Sequence, residues 1–590
     1  MFLSLGEAFR LTAQLETDVE RIAVTGSSLV YANNTGSSSF FNSKDVENAP
    51  SFNRDLKDII RNNPLVNING ADGTISVAGT NPRFNSIAID GIGLNDDFGL
   101  NMTGYPTTRS PISLDAIDQI IVDTSPFNAK DSGFQGAKIN AVTKSGTNEL
   151  AGTFFFEKQN DSLAGKYRNP SNGEKESLNF DEETWGLTLG GALVQDKLFV
   201  FTSYESYSSP QASGWGPSGA NGVANPTNVT LDELNQVAEI AQRVYGVDIG
   251  DWAVSPVTED EKLLIKLDWN INDYHRAALT YQHSSGDEIS NTTSEAQTLK
   301  VSSQWYNRSE TMDSYALKFF SDWSSDFSTE VYATFQERET GQNSLSDLPQ
   351  VFIRVEGDDD REIAFGSDHS RHANELANET FILGFDATYL LDEHKLTFGY
   401  QFKETEAANL FVQYARGSYT FDSIEDFESR NALNLRYKNS PSLNPRDAIV
   451  GFKRAEHALY AQDEYALSPE LLLTFGLRYE QMTTSDTPAF NEDFFNTTGY
   501  DNRENLDGVD IILPRFSFRW DATDDLVVRG GIGRFSGGQP SVWAGNAYGN
   551  NGINMVDTGT VSDRSRAPIT QDMIDALAGV DITTVPEAFK

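Results

Sequence analysis

Residues 395–403 read KLTFGYQFK. Leu396, Phe398, Tyr400 and Phe402 alternate there with Lys395, Thr397, Gln401 and Lys403. A period of two places the first set on one face of a strand and the second set on the other. One face suits hydrocarbon and the other a polar interior. The alternation recurs along the chain. Leu263, Ile265, Leu267 and Trp269 alternate with Lys262, Lys266 and Asp268. Phe381, Leu383, Phe385 and Ala387 alternate with Gly384, Asp386 and Thr388. Leu473, Phe475, Leu477 and Tyr479 alternate with Thr474, Arg478 and Glu480, and Phe516, Phe518 and Trp520 with Arg515, Ser517 and Arg519.

The connections between these runs fall into two strictly alternating kinds. One kind is short, at 195–197, 270–274, 323–326, 391–394, 468–470 and 523–525. The other is long, at about 160–182, 208–260, 286–312, 340–378, 409–453 and 485–511. Up-and-down outer-membrane barrels pair tight turns at one rim with long loops at the other. A soluble sandwich or propeller has no reason to keep that asymmetry over six hairpins. Residues 150–535 thus predict about 13 strands of about ten residues each, a transmembrane antiparallel β-barrel. An odd number of antiparallel strands cannot close, and an open edge in lipid leaves backbone groups unsatisfied. Further strands are therefore expected beyond Lys590, and the barrel in this chain is read as incomplete.

Composition narrows the class. No stretch approaches the roughly 20 apolar residues of a spanning helix. The net charge of −41 opposes a nucleic-acid partner, since a phosphate polyanion would be repelled. The absence of cysteine excludes thiolate metal sites, disulfides and cysteine nucleophiles.

Motifs of catalysis are absent. There is no phosphate loop, nucleophile elbow or zinc-protease helix. Residues 531–537, GIGRFSG, miss the dinucleotide spacing and read as small residues packed inside a barrel. His369 and His372, beside Asp368, read as a solvated loop rather than a metal site. Asp358, Asp359 and Asp360, and the acidic run 501–507, lack the spacing of a calcium loop. Residues 231–244 read as an amphipathic helix with Leu234, Val237, Ile240 and Ala241 on one stripe, packing against other loops. The sequence predicts no cofactor, no metal centre and no catalytic residue.

The front of the chain has a different texture. Residues 41–150 read as a small α/β domain. Leu56, Ile59 and Ile60 have helical spacing, and Asn63-Pro64 stops the helix. Extended runs follow at 74–78, 86–89 and 119–122, with Asp90-Gly91 as a turn. Before it, residues 26–39 are rich in Gly, Ser and Asn, a linker composition.

Four motifs in this region resemble the plug of TonB-dependent outer-membrane receptors. Residues 61–66, RNNPLV, are similar to the family's helix exit, with Asn63 and Pro64 in place. Residues 85–91, NSIAIDG, are similar to its strand ending in Asp90-Gly91. Residues 115–122, DAIDQIIV, and 136–144, GAKINAVTK, are similar to two further strands, the last running from Gly136 to Lys144 into the barrel. Ala78-Gly79 stands where Arg-Gly is common. That departure, with SGTNELAG at 145–152 and AQDEY at 461–465, resembles the Oar-like (OmpA-related) branch.

The resemblance implies a domain map. Residues 1–18 would be the remnant of a carboxypeptidase-regulatory-like β domain, so that the chain is truncated at both ends. Residues 19–40 would be a TonB-box-like segment and linker, 41–148 the plug, and 149–590 a partial barrel with long extracellular loops. It also implies a function, the active uptake or export of a scarce solute across the outer membrane of a Gram-negative bacterium. Extracellular loops and plug would bind the solute, a small molecule, glycan or peptide, and plug movement would gate it. Its partners would be membrane lipid and TonB with ExbB and ExbD. A passive porin or adhesin is the first alternative, and a soluble glycan-active enzyme the second.

Residues 20–26, ERIAVTG, resemble a TonB box at Ile22, Ala23, Val24 and Thr25, or else form the first plug strand. A box pairs through its backbone, as an added strand. Val24→Pro removes a donor and restricts its neighbour. It is expected to abolish uptake and spare surface binding, with Val24→Ala mild. Joint loss of binding and heat-modifiable barrel mobility would assign the segment to the plug instead.

Overall fold

The computed structural model describes residues 35–562, apart from 52, 71–72, 102, 165–166, 169–174, 177–179, 211–212, 222, 356–357 and 539–540. The Ile22–Thr25 candidate box (residues 22–25) and a short helical pattern at 571–578 lie outside these residues.

One 13-stranded antiparallel meander forms the wall. Its strands are β1 (Ala151–Asn160), β2 (Asp181–Val194), β3 (Leu198–Pro210), β4 (Val257–Asn270), β5 (His275–Ser290), β6 (Tyr306–Asp322) and β7 (Phe327–Ser344). Then come β8 (Asn374–Leu391), β9 (His394–Phe411), β10 (Val450–Ser468), β11 (Leu471–Thr483), β12 (Asp510–Thr523) and β13 (Leu526–Gly533). Every strand pairs with its chain neighbour, and among the described residues β1 and β13 remain the two edges. The six short connections fall where the sequence predicts them.

All strands but β1 and β13 are longer than the ten residues expected, reaching 19 in β10. At about 3.3 Å per residue such a strand runs to about 60 Å, twice the hydrocarbon thickness. The outer ends, such as ETEAA at 404–408, carry charge on the outward face at Glu404 and Glu406, so apolar alternation does not mark them.

Facing is set by period two. Phe398, Leu459, Leu477 and Ile512 are at least half exposed on the outer face. The intervening residues point inward. Gln401 donates to the Tyr332 hydroxyl (3.1 Å) and Lys403 to Asp97 (2.9 Å).

Inside lies the domain of residues 35–144. Its five-stranded sheet has the order Ser38–Phe41, Ile117–Asp123, Lys138–Thr143, Ser86–Ile89, Ile92–Gly93. The linker-like composition of 26–39 gives way to strand at Ser38, which pairs with Asp123. Helix Ser43–Asn48 starts at a capping box between Asn42 and Asp45. Helix Leu56–Ile60 buries Ile59 and Ile60 completely. Its core runs on into the wall, since Phe201, Leu264 and Met312 belong to the same apolar cluster.

Four long connections, after β3, β5, β7 and β9, fold together into a head. Strands Thr298–Lys300, Asp358–Phe365, Gln350–Val355, Ser418–Phe421, Asn434–Asn439 and Val556–Ser562 form one six-stranded sheet. Against it packs helix Leu231–Ile240, continued by a π turn at Ala241–Tyr245. Leu234, Val237, Ile240 and Ala241 are buried with Val351, Ile363, Phe421 and Phe427. The amphipathic stripe thus packs against other loops, as expected.

The wall assignment predicts an asymmetry within β9. Phe398→Arg places a charge in lipid and is expected to cost about 2–4 kcal/mol near the midplane. Thr397→Arg faces the lumen and should cost much less. Denaturant titration of refolded protein in lipid vesicles reads both, and equal losses would contradict the facing.

Candidate functional site

The wall's inward residues meet the plug all round. Arg54 reaches Asp115 (3.0 Å), Glu157 of β1 (3.0 Å) and Glu205 of β3 (3.6 Å). Lys262 joins Glu205 (3.0 Å) and Asp260 (2.9 Å). Lys130 bridges Glu330 of β7 (2.9 Å) and Asp386 of β8. On the far side Gln462 of β10 accepts from the Ala129 amide (2.8 Å), and Arg515 of β12 donates to the carbonyls of Asn128 and Asp131. Buried charges persist only when paired, and here plug and wall supply one another's partners.

The resemblance motifs occupy strained or crowded points of the plug. Asn63 accepts from the Leu65 amide (2.8 Å) and donates to Ser39 (2.9 Å), tying the helix exit to the edge strand, while Pro64 is exposed. Asp90 and Gly91 both have positive φ (50° and 79°) and turn the hairpin. The Asp90 carboxylate accepts from the Thr143 amide (2.9 Å) and hydroxyl (2.7 Å), and Lys266 of β4 stands 3.6 Å away. A Cβ at Gly136 would fall 2.4 Å from the Asn85 side chain. Lys144 closes the last strand, donating its amide to Ala116 (2.8 Å), with Glu47 3.6 Å from its ammonium. These residues are spread through the plug and do not converge on one site.

Convergence occurs above the plug, on the long-loop side. Plug segment 96–106 folds back on Asp96, whose carboxylate accepts from the amides of Phe98 (3.2 Å) and Asn101 (2.7 Å). Between this segment and β6, β7 and β8 lies a pocket of about 170 Å³. Arg308, Arg338 and Arg371 line it, against one lining carboxylate, Asp96. Arg308 is committed to Glu310 (2.6 Å) and to Asn101. Arg338 stands 3.9 Å from Asp96 and 3.7 Å from Asp97, and its Nη2 has no hydrogen-bond partner. Arg371 comes from the head, lies over the Tyr306 ring (4.6 Å) and also leaves a buried Nε without a partner. Burial alone would raise the Asp97 carboxyl, but Lys403 and then Arg338 more than offset it and hold it below its ordinary value. Two guanidinium groups with unmet donors lining one pocket fit an acceptor with several oxygens, such as a carboxylate or other oxyanion.

Sequence reasoning missed these arginines. Arg308 and Arg338 do hold inward positions of period two, but beyond the hydrocarbon zone no apolar partners mark the phase. Helix Ser541–Gly549 was missed as well. It packs on Phe98, Leu376 and Phe452, and its first amides donate to the carbonyls of Asp97 (2.9 Å) and Phe98 (3.0 Å). The glycines of 531–537 do pack inside. Gly537 forms a bridge to Gly133, and a Cβ on it would meet the plug backbone at 2.1 Å.

Residues 142–228 and 251–587 match the outer membrane beta barrel domain, and residues 32–136 match the TonB-dependent receptor plug domain. The chain belongs to this outer-membrane family. Over 137 residues it is 28% identical to the TonB-dependent transporter Oar of Myxococcus xanthus, covering 22% of this chain and 12% of that protein. The outer membrane transporter YddB of Escherichia coli shares the fold with a TM-score of 0.59 at 14% identity, over 85% of this chain and 61% of that one. The siderophore receptor PirA of Acinetobacter baumannii gives 0.52 at 16%, over 84% and 60%. The chain thus spans about three fifths of these solved relatives and an eighth of the curated one. This outer-membrane barrel contains, among its described residues, no group of three or more His, Asp or Glu side chains able to hold a metal ion.

The histidine pair corrects the solvated-loop reading. His369 stacks on Tyr414 (4.4 Å) and pairs with Gln350 (3.0 Å). His372 is 5% exposed and accepts from the Arg416 amide (3.0 Å) through Nδ1, while Nε2 faces the Ser367 carbonyl at 3.2 Å. Both rings are structural, because the head has a core that a lone loop lacks. The acidic runs also have local roles. Asp501 grips Arg503 (2.7 Å), Asp507 accepts from the Thr484 amide (3.1 Å), and Asp358 begins a strand of the head.

Burial, and then the Arg416 charge, push His372 down to about 3 from 6.5, against the Ser367 carbonyl that favours the proton. The unfolded state therefore binds more protons between those values. The neutral ring's contribution is full above pH 6.5 and is lost as pH falls towards 3. By pH 4.5 the loss is on the order of 3 kcal/mol. Limited proteolysis should show the head opening over that range in the native protein and a flatter response in His372→Gln.

Proposed function

We propose that this outer-membrane barrel takes up an anionic solute, captured first by Arg338 and Arg371 above the plug and released inward by plug rearrangement powered through TonB, with ExbB and ExbD. The single observation that carries the reading is the pair of guanidinium groups, each with a buried donor lacking a hydrogen-bond partner, that line a pocket on the long-loop side. An unmet buried donor costs about 1–3 kcal/mol, and an arriving oxyanion recovers it. Residues 41–148 act as the plug, 149–590 as wall and loops, and 19–40, with Ile22, Ala23, Val24 and Thr25, as the contact for TonB. Asn63, Pro64, Asp90, Gly91, Gly136 and Lys144 keep the plug's turns and strand exits in shape.

A passive porin needs an open lumen, whereas here Phe201, Leu264 and Met312 of the wall share a core with the plug. An enzyme needs converging nucleophile, acid or base. This pocket offers guanidinium groups, which bind and orient.

Succinate serves as a probe, with succinamide as its uncharged counterpart. Calorimetry should detect succinate alone, with binding that weakens as salt rises. Arg338→Gln and Arg371→Gln should each weaken it about tenfold, or about 1.4 kcal/mol. Equal binding of the two probes, or succinate binding unchanged in both variants, would overturn the anion reading.

A further inference from the structure

A second, larger cavity lies on the short-turn side of the plug. Its volume is about 1770 Å³, and its lining includes the turn residues Asp196 and Asn272, so it faces the periplasmic rim. It shares a wall with the arginine pocket. On β6 the pocket's lining ends at Arg308 and the lower cavity's begins at Ser314. Only Glu310 and Met312 point inward between them. On β7 the corresponding limits are Arg338 and Tyr332, with Gln336 and Thr334 between. The plug side is thin along the chain. Leu94 lines the lower cavity and Asp96 the upper one, with Asn95 between them, while Thr108 and Pro111 meet the wall beside them at Glu310 and Gln282.

The septum is lightly attached to the wall. Gln336 donates to the Gly93 carbonyl (3.1 Å), and Thr108 donates to Glu310 (3.0 Å). Its main anchor is within the plug. The Asn95 side chain accepts from the Ile87 amide (2.9 Å) and donates to the Asn85 carbonyl (2.6 Å), standing in for a strand rung beside Ser86–Ile89. On the opposite wall the plug is clamped harder. There segment 128–132 is held by Gln462, Arg478, Glu480 and Arg515 together.

We propose that the solute path runs down the β5–β6–β7 wall, and that its barrier is plug segment 93–96, bolted shut by the Asn95 amide, while segment 128–132 stays in place. The path rests on the reading that this barrel carries a solute. Its geometry requires that two cavities already abutting one wall be joined by moving the thinnest element between them. The displaced segment gives up the Gln336 bond and the Arg338–Asp96 ion pair (3.9 Å) at the wall, and within the plug the two Asn95 side-chain bonds and the Leu94 amide's bond to the Ile87 carbonyl (2.7 Å), a local opening of the kind that leaves the rest of a fold intact. Asn95 acts here as a positioning residue.

The chain has no cysteine, so reactive pairs can be placed without background. A Cβ at Gly93 meets nothing within 4 Å, so Gly93→Cys fits. The test reads ionic current through the whole protein in planar bilayers bathed in KCl, which requires no solute and is independent of the succinate result. Wild type is expected to stay closed and Asn95→Ala to open in bursts. Bridging Gly93→Cys to Gln336→Cys with a short bis-maleimide should cut the open time of Asn95→Ala at least tenfold. The same bridge between Ala129→Cys and Gln462→Cys should leave it unchanged. Asn95→Asp keeps the bond from Ile87 and loses the one to Asn85; it should open more briefly, and it replaces the alanine variant if that fails to insert. Closure by both bridges would show that the whole plug moves, and closure by neither that current runs elsewhere. Either result, or silence of both Asn95 variants, overturns the proposal.

Discussion

A strand in hydrocarbon has no water to satisfy its backbone, so each must be hydrogen-bonded along its length to a neighbour. That constraint produces the unbroken β1–β13 meander and everything that follows from it. Once the backbone is paired, side chains have only two directions. The outward set must be apolar. The inward set is free to be charged, provided something polar stands opposite. The plug meets that condition. Lys130 between Glu330 and Asp386, and Lys403 beside Asp97, are charges that neither component could bury alone. Wall and plug are therefore one electrostatic unit, although their chain segments are sequential and their sheets separate.

The same logic explains why the two rims differ. At the short-turn rim a few residues suffice, and Asp196 and Asp392 take positive φ to make the turn. At the other rim the connections are long enough to bury apolar side chains of their own. Val351, Ile353 and Phe421 do so completely, in a sheet that mixes strands from three connections with one from the segment after β13. Arg371 sits where this head meets the wall, so the pocket is built from all three bodies.

Legibility in the sequence followed this hierarchy. Strands were readable wherever apolar and polar residues alternated, as at 395–403, and the six tight turns followed from them. The plug helix at Leu56–Ile60 and the Asp90-Gly91 turn were readable because spacing and turn chemistry are local. The arginine pocket was not, since Arg308, Arg338 and Arg371 lie in segments whose two faces are both polar. Nor was the head sheet, whose strands Gln350–Val355 and Ser418–Phe421 pair in parallel across some 60 residues of intervening chain. Helix Ser541–Gly549 carries no apolar stripe to reveal it, being half glycine, alanine and asparagine, and it exists through its contacts with Phe98 and Phe452.

The shared head core has a consequence for diversification. Surface loops of a barrel are usually thought of as independent cassettes, each free to lengthen, shorten or be exchanged. Here the connections after β3, β5, β7 and β9 are interlocked through Val237, Val301, Ile363 and Phe427. A graft of one of them from another receptor would arrive without its packing partners and would unseat the other three. In this chain the four connections can therefore change only together, whereas single substitutions on the pocket rim leave the shared core untouched.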